Sequence, residues 1–427
     1  MTPATGISRY ARLFASVGLV SLTTTVVPAA QAATQQELEA RLDALATEVR
    51  ELQAELSAVR AERARAEPAA APIAPVASER PKLDWFGYGE LSYTRPRTEA
   101  DTTADLGRFV LGASYRFDDK TTFASELEIE HAVSSAEDPG EVEVEQAYIE
   151  RRHGDRLFAK YGLFLMPVGL LNENHEPTRY YGVFRNLVET RIIPTTWREG
   201  GVLFQATTDS GLRWDAGVST GFKLASWDPT SPEAREEPLG SIHQELALAS
   251  AGDLSVFAAV NYTGIPGLRV GGSVFTGDAA QGQLGFNDNR VTLWEGHARW
   301  SPGNWELSAL WAQGRIGNTR AVNLTFIGSA ALIPAAFYGG YVEGAYRMTF
   351  RPGSTLAPFV RYEKVDTASS YAFLGAGLTP APLGAEKAVT TGVSFAIANG
   401  VVFKADYVNF RRDDANDRFD LGVGYQF

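Results

Sequence analysis

The sequence contains no cysteine, which removes disulfide frameworks, thiolate metal sites and cysteine nucleophiles at once. Long apolar runs are also missing. Beyond residue 32 none approaches the roughly 18 residues a membrane helix needs, so any membrane crossing must be made by strands. A basic excess is absent too: the net charge is −12, which argues against a general nucleic-acid partner. Histidine is scarce. The five (His131, His153, His175, His243 and His297) are scattered and show no metal-ligand spacing. No motif places a serine nucleophile beside a base, so the chain reads as a non-enzyme with no cofactor and no metal.

The first 32 residues read as a signal peptide. Arg9 and Arg12 make a positive start, Leu13 to Val27 is apolar or small, and Ala30-Gln31-Ala32 is a small-residue cleavage site. Residues 33–66 then carry a heptad seam. Leu38, Leu42, Leu45, Val49, Leu52, Leu56 and Val59 are spaced 4, 3, 4, 3, 4, 3. A period of about 3.5 keeps such a seam facing a partner helix, so a short coiled-coil stalk is expected. The competing reading is one amphipathic helix lying on a barrel rim. Residues 67–82 are Ala/Pro-rich and read as a semi-stiff tether. Residues 1–82 hold nine basic and nine acidic residues, so the whole −12 belongs to 83–427.

From Leu83 the pattern changes to period-2 segments of about ten residues, joined alternately by short turns and long polar connections. Phe109, Leu111, Ala113, Tyr115 and Phe117 share one face of such a segment, and Arg108, Ser114 and Arg116 share the other. Phe123, Leu127 and Ile129 oppose Glu126, Glu128 and Glu130. Aromatics gather near segment ends (Trp85, Tyr93, Phe117, Trp300, Trp305, Phe427), as two membrane interfaces require. Sixteen segments are expected, near 84–94, 105–117, 121–131, 141–152, 155–165, 199–208, 211–221, 254–262, 268–277, 290–300, 305–315, 339–349, 355–365, 387–397, 400–411 and 417–427. Residues 241–249 are assigned to a long outer loop, because a seventeenth strand would break the short/long alternation. The fold expected is all-β: a sixteen-stranded antiparallel transmembrane β-barrel over 83–427, with an N-terminal periplasmic coiled-coil helix.

Three stretches carry a family resemblance. Tyr161-Gly162-Leu163-Phe164-Leu165-Met166-Pro167-Val168-Gly169 enters a long loop that leaves through Ile193-Pro194-Thr195-Thr196-Trp197-Arg198-Glu199-Gly200-Gly201. Ser241-Ile242-His243-Gln244 is the second, and the third runs from Tyr262 to Leu268 and from Gly271 to Gly277. In these the chain resembles the porin family named for phosphate-selective porins O and P. The resemblance implies a trimeric outer-membrane pore whose third long loop, here 166–198, folds inward. It places His175, Arg179, Arg185, Arg191 and Arg198 at a pore constriction. The C-terminal Asp420 to Phe427 looks like the signal read by the barrel assembly machinery.

The lumen wall expected from alternation mixes Arg108, Arg116 and Lys160 with Glu126, Glu128, Glu130, Glu143 and Glu145. Two readings of these charges stand side by side. They set a transverse field across a wet pore, or they pair across strands and solvate the lumen. The expected function is an outer-membrane porin for passive diffusion of small hydrophilic solutes or ions, anions such as phosphate among them. Its partners would be outer-membrane lipid and two further copies of itself. The alternative is a structural tether that uses the coiled coil.

Overall fold

The computed structural model describes residues 47, 48, 50, 51, 53–55 and 82–427, apart from 99, 100, 134, 136–139, 232 and 284. The chain divides into two units, Met1–Ser78 and Glu79–Phe427. The expected signal peptide, heptad seam and most of the linker lie outside the described residues. Of the stalk only Thr47, Glu48, Arg50, Glu51, Gln53, Ala54 and Glu55 are described, and they are helical.

The second unit is a single closed antiparallel sheet. Its first half comprises β1 (Leu83–Pro96), β2 (Thr103–Asp118), β3 (Thr121–Glu130), β4 (Val142–Arg152), β5 (Leu157–Leu165), β6 (Arg198–Thr207), β7 (Leu212–Ser219) and β8 (Ser255–Tyr262). The second half comprises β9 (Leu268–Asp278), β10 (Arg290–Trp300), β11 (Trp305–Ile316), β12 (Ala336–Tyr346), β13 (Ser354–Ser370), β14 (Glu386–Ala398), β15 (Val401–Phe410) and β16 (Arg418–Gln426). A short segment, Met348–Arg351, continues β12 after Arg347 and pairs with the same neighbour, β13. The seventeen hydrogen-bonded segments among the described residues therefore make sixteen staves.

Each stave pairs with the next, and β1 pairs with β16 from Tyr88↔Gln426 to Pro96↔Arg418, which closes the cylinder. Closure follows from the outer surface. On β15, Phe403 and Tyr407 point outward and are exposed, while Val402, Lys404, Asp406 and Val408 point inward and are buried. Six of the eight tryptophans (Trp85, Trp214, Trp294, Trp300, Trp305 and Trp311) are exposed on the outer wall. An apolar band of that extent belongs in lipid. No described helix is long and apolar enough to cross a membrane.

The turns at one end are tight, as at Asp209–Gly211, Gly353 and Asn399–Gly400. Gly400 has φ +80°, and a Cβ there would sit 2.2 Å from the Gln426 carbonyl oxygen, so the turn requires glycine. Long connections occupy the other end. Residues 241–249 form no strand; beyond a 3-10 turn at Gly240–Ile242 they are irregular. Several strands run beyond the bounds that alternation indicates. β12 begins at Ala336, and β13 continues to Ser370 through a register shift in which Val365 and Asp366 are both buried. A bulge of that kind puts successive side chains on one side and erases the period-2 signal.

Loops fill one side of the interior, where side chains alone could not reach across. Trp197 stacks on Phe222 at 5.3 Å and meets Phe275 edge-on at 4.8 Å. Around them pack Phe164, Met166, Ile192, Leu239 and Phe337, all buried. Trp197→Ala should lower unfolding stability by about 3–5 kcal/mol, because the loops on either side cannot collapse into the cavity left. Urea titration of the protein in lipid vesicles measures this; an unchanged midpoint would mean the cluster is not a core.

Candidate functional site

The connection from β5 to β6, residues 166–197, leaves the wall and folds into the barrel. Its neck is tied by Asn172: Oδ1 accepts from the Trp197 amide at 2.7 Å, and Nδ2 donates to the Met166 and Trp197 carbonyls at 2.8 Å. Its middle is organised by the buried Glu189. The Leu170 and Leu171 amides donate to Oε1 at 2.6 and 2.7 Å. Asn186 Nδ2 donates to Oε2 at 2.8 Å, and so does the Tyr341 hydroxyl of β12 at 3.1 Å. Gly169 makes room for this carboxylate, since a Cβ there would lie 2.4 Å from Oε1.

From the neck the loop crosses to the wall and is hooked to it by polar groups that alternation turns inward. Arg108 of β2 donates to the His175 carbonyl at 2.6 Å, and Nε donates to Glu90 of β1 at 2.8 Å. The Tyr180 hydroxyl donates to the other oxygen of Glu90 at 2.6 Å. Lys404 Nζ donates to the Gly182 carbonyl at 2.8 Å and lies 3.7 Å from the centre of the Tyr180 ring. Asp406 accepts from the Val183 amide at 2.6 Å, and Glu363 accepts from the Leu187 amide at 2.5 Å. Arg361 in turn bridges Glu363 and Glu343. Burial and the Glu90 carboxylate push the Tyr180 phenol up, so it remains the donor at neutral pH. Burial and the neighbouring Arg108 pull the Arg185 guanidinium down.

Two cavities flank the loop. One of about 510 Å³ opens at the short-turn end and is lined by Arg179, Tyr181, Arg299, Glu306 and Arg347. The other, about 430 Å³, opens at the long-loop end and is lined by Glu90, Arg108, Glu128, Arg185, Arg191 and Lys404. Tyr180 lines both and is the residue they share.

The residues singled out from the sequence are distributed among distinct roles. Arg179 lies on the short-turn cavity and Arg185 on the long-loop cavity. Arg191 borders the latter too and pairs with Glu236 at 3.2 Å. His175 is buried: one ring nitrogen meets the Tyr88 hydroxyl at 2.7 Å and Glu145 at 2.8 Å, and the other meets the Asn172 carbonyl at 2.8 Å. Arg198 is buried against Glu143 and Glu245. Arg116 lies by Asp84 at 3.8 Å near the short-turn rim. Lys160 covers the Tyr148 ring at 4.6 Å.

The acidic residues do form one wall, with Glu128 opposite Glu143 and Gln146 donating to Glu126 at 2.8 Å. Glu145 sits at a bulge of β4, which turns it inward toward His175. Glu130 lies across from Arg108. β2 adjoins this acidic wall; Lys404 and Arg361 come from distant staves instead.

Lys404, Asp406, Glu363 and Arg361 point inward by the alternation of their staves. Alternation missed Tyr180, Glu189 and Asn172, which sit in an irregular loop with no period to read. Glu90, inward on β1, was within its reach.

A protein of Aquifex aeolicus (strain VF5), described as an uncharacterized protein, is 30% identical over 348 residues, covering 79% of this chain and 77% of its own length. The chain belongs to that protein's family. No protein-family model matches it. Among solved structures it is similar to Salmonella typhi OmpF in complex with daunomycin (TM-score 0.57, 16% identity, 81% of this chain and 97% of that one). It is also similar to the outer membrane channel DcaP of Acinetobacter baumannii (TM-score 0.52, 13% identity, 81% and 97%). These likenesses establish the porin barrel fold.

Replacing Glu189 by alanine removes the acceptor shared by four donors and should weaken loop anchoring by about 2–3 kcal/mol. Proteolysis within 166–197 in reconstituted protein should then accelerate on the order of tenfold or more while the barrel stays folded. An unchanged cleavage rate would show that the loop is held elsewhere.

Proposed function

We propose that the protein is an outer-membrane porin through which small hydrophilic solutes and ions diffuse passively, with weak charge selectivity. The observation that carries this reading is the inward loop, rooted between β5 and β6 and hooked across the lumen to the arc of wall from β13 through β15 to β2, between two cavities that open to opposite ends of a closed barrel. A barrel that served only as an anchor would have no need of a loop held across its lumen by polar groups of the facing wall.

Weak selectivity follows from how the waist charges are used. Arg108 is paired with Glu90, and Arg361 with Glu343 and Glu363. Arg185 donates to the Thr196 hydroxyl at 3.0 Å and forms no ion pair with a described residue. An Arg185 guanidinium without an ion pair, in a cavity that also holds Lys404 and the carboxylates of Glu128 and Glu130, gives a mixed field, not a dense cationic ladder. Phosphate and chloride would pass, without excluding cations. The fold and the outward apolar band support an outer-membrane site, with the tight turns facing the periplasm. Both barrel ends lie at that side, since β1 starts opposite Tyr115 and Phe427 lies beside Gly87. A homotrimer, export by the leader and assembly through the terminal Phe427 complete the proposal.

Planar-bilayer recordings under a KCl gradient should give reversal potentials near zero, with permeability ratios within about threefold of unity. A steep anion preference would overturn weak selectivity, and a barrel without conductance would favour the tether. Tyr180→Ala should join the two cavities and raise single-channel conductance about twofold or more. Equal conductance in the variant would place the constriction elsewhere.

A further inference from the structure

The outer wall carries one feature that a passive pore does not use. Lys364 of β13 lies directly opposite Lys387 of β14. Lys387 in turn accepts, through its carbonyl, the amide of Arg411 at the end of β15 at 2.8 Å. All three follow the outward parity of their staves: Tyr362, Thr391 and Tyr407 on the same faces are exposed, while Glu363, Ala388 and Phe410 point inward and are buried. Three consecutive staves thus present three cations side by side, just above Tyr362 and Tyr407 and toward the long-loop end.

Like charges directly opposite on adjacent strands repel, and cations on a lipid-facing wall are costly unless they reach the interface. No described carboxylate comes within ion-pair distance of any of the three; Asp366, which feels the Lys364 charge, is buried at the strand bulge and accepts from the Ala368 amide at 3.2 Å. The acids nearby are committed to other donors. Glu386 accepts from the Lys387 and Arg412 amides at 2.8 and 3.1 Å. Asp417 accepts from the Phe410 amide and Asn409, both at 2.7 Å. Lys364 instead lies 5.2 Å from the centre of the Tyr338 ring, itself stacked on Trp311. A polybasic row on top of an aromatic and apolar wall is complementary to an amphiphile with an anionic head and acyl tails. The apolar surface beneath it, with Val342, Trp311 and Tyr362, offers a shallow groove for a tail.

We propose that Lys364, Lys387 and Arg411 form a binding row for the phosphorylated headgroup of an outer-leaflet glycolipid. The row rests on the outer-membrane reading for its orientation, and not on conduction. Its phosphate oxygens would accept from the two ammonium groups and the guanidinium, and so replace the missing counter-charge.

Native mass spectrometry of the detergent-purified full chain tests this, with added phosphorylated lipid A, its dephosphorylated form, and inorganic phosphate as probes. The wild type should retain phosphorylated lipid A, and the triple variant K364Q/K387Q/R411Q should retain it about tenfold less. Neither the dephosphorylated lipid nor inorganic phosphate should bind comparably. Equal retention by wild type and variant, or equal binding of the dephosphorylated lipid, would overturn the proposal. Single-channel conductance of the same variant separates the two readings. An unchanged current with lost lipid supports the row, whereas a wild type that binds lipid and conducts nothing would sink the pore and leave the row standing.

Discussion

Everything in this molecule depends on the pairing of its first and last staves. Strands in lipid must satisfy every backbone donor and acceptor within the sheet, because each group left open costs several kcal/mol in hydrocarbon. The nine pairs from Tyr88↔Gln426 to Pro96↔Arg418 remove the free edges and convert a long meander into a cylinder. Once the cylinder exists, period-2 alternation sorts side chains into an apolar outside and a polar inside without further instruction.

The closed wall also explains the loop between β5 and β6. An inward face rich in Arg, Lys, Glu and Asp offers donors and acceptors at fixed heights around the lumen. A polar loop entering that space finds partners along one arc of the wall: Arg108 on β2, Glu90 on β1, Lys404 and Asp406 on β15, and Glu363 on β13. Its apolar flank, through Trp197 and Ile192, packs with Phe222 and Phe337 against the inward faces of later staves. The loop is therefore a structural part of the barrel, and the aperture it leaves is defined by side chains that are individually held.

Much of this was legible in the sequence, and the limits have physical causes. The sixteen staves were found because one face of each is greasy and the other wet, and tight turns such as Asp209–Gly211 punctuate them. Legibility failed at bulges, as at the upper end of β13, where Val365 and Asp366 share a side. It failed more completely in the inward loop. Arginines and a histidine were singled out there by chemistry, yet His175 is locked between Tyr88 and Glu145, while Tyr180, without charge or period to mark it, is the residue common to both cavities. Residue type signals what a side chain could do; only the loop path decides which one stands at the waist.

The central claim is the alternation of lipid and lumen along every stave, and the cysteine-free chain makes it directly measurable. Single cysteines at positions 403 to 407 of β15, labelled with a fluorophore in lipid vesicles, can be quenched by brominated acyl chains. The account predicts strong quenching at 403, 405 and 407 and weak quenching at 404 and 406. Uniform quenching across the five positions, or the opposite phase, would contradict it.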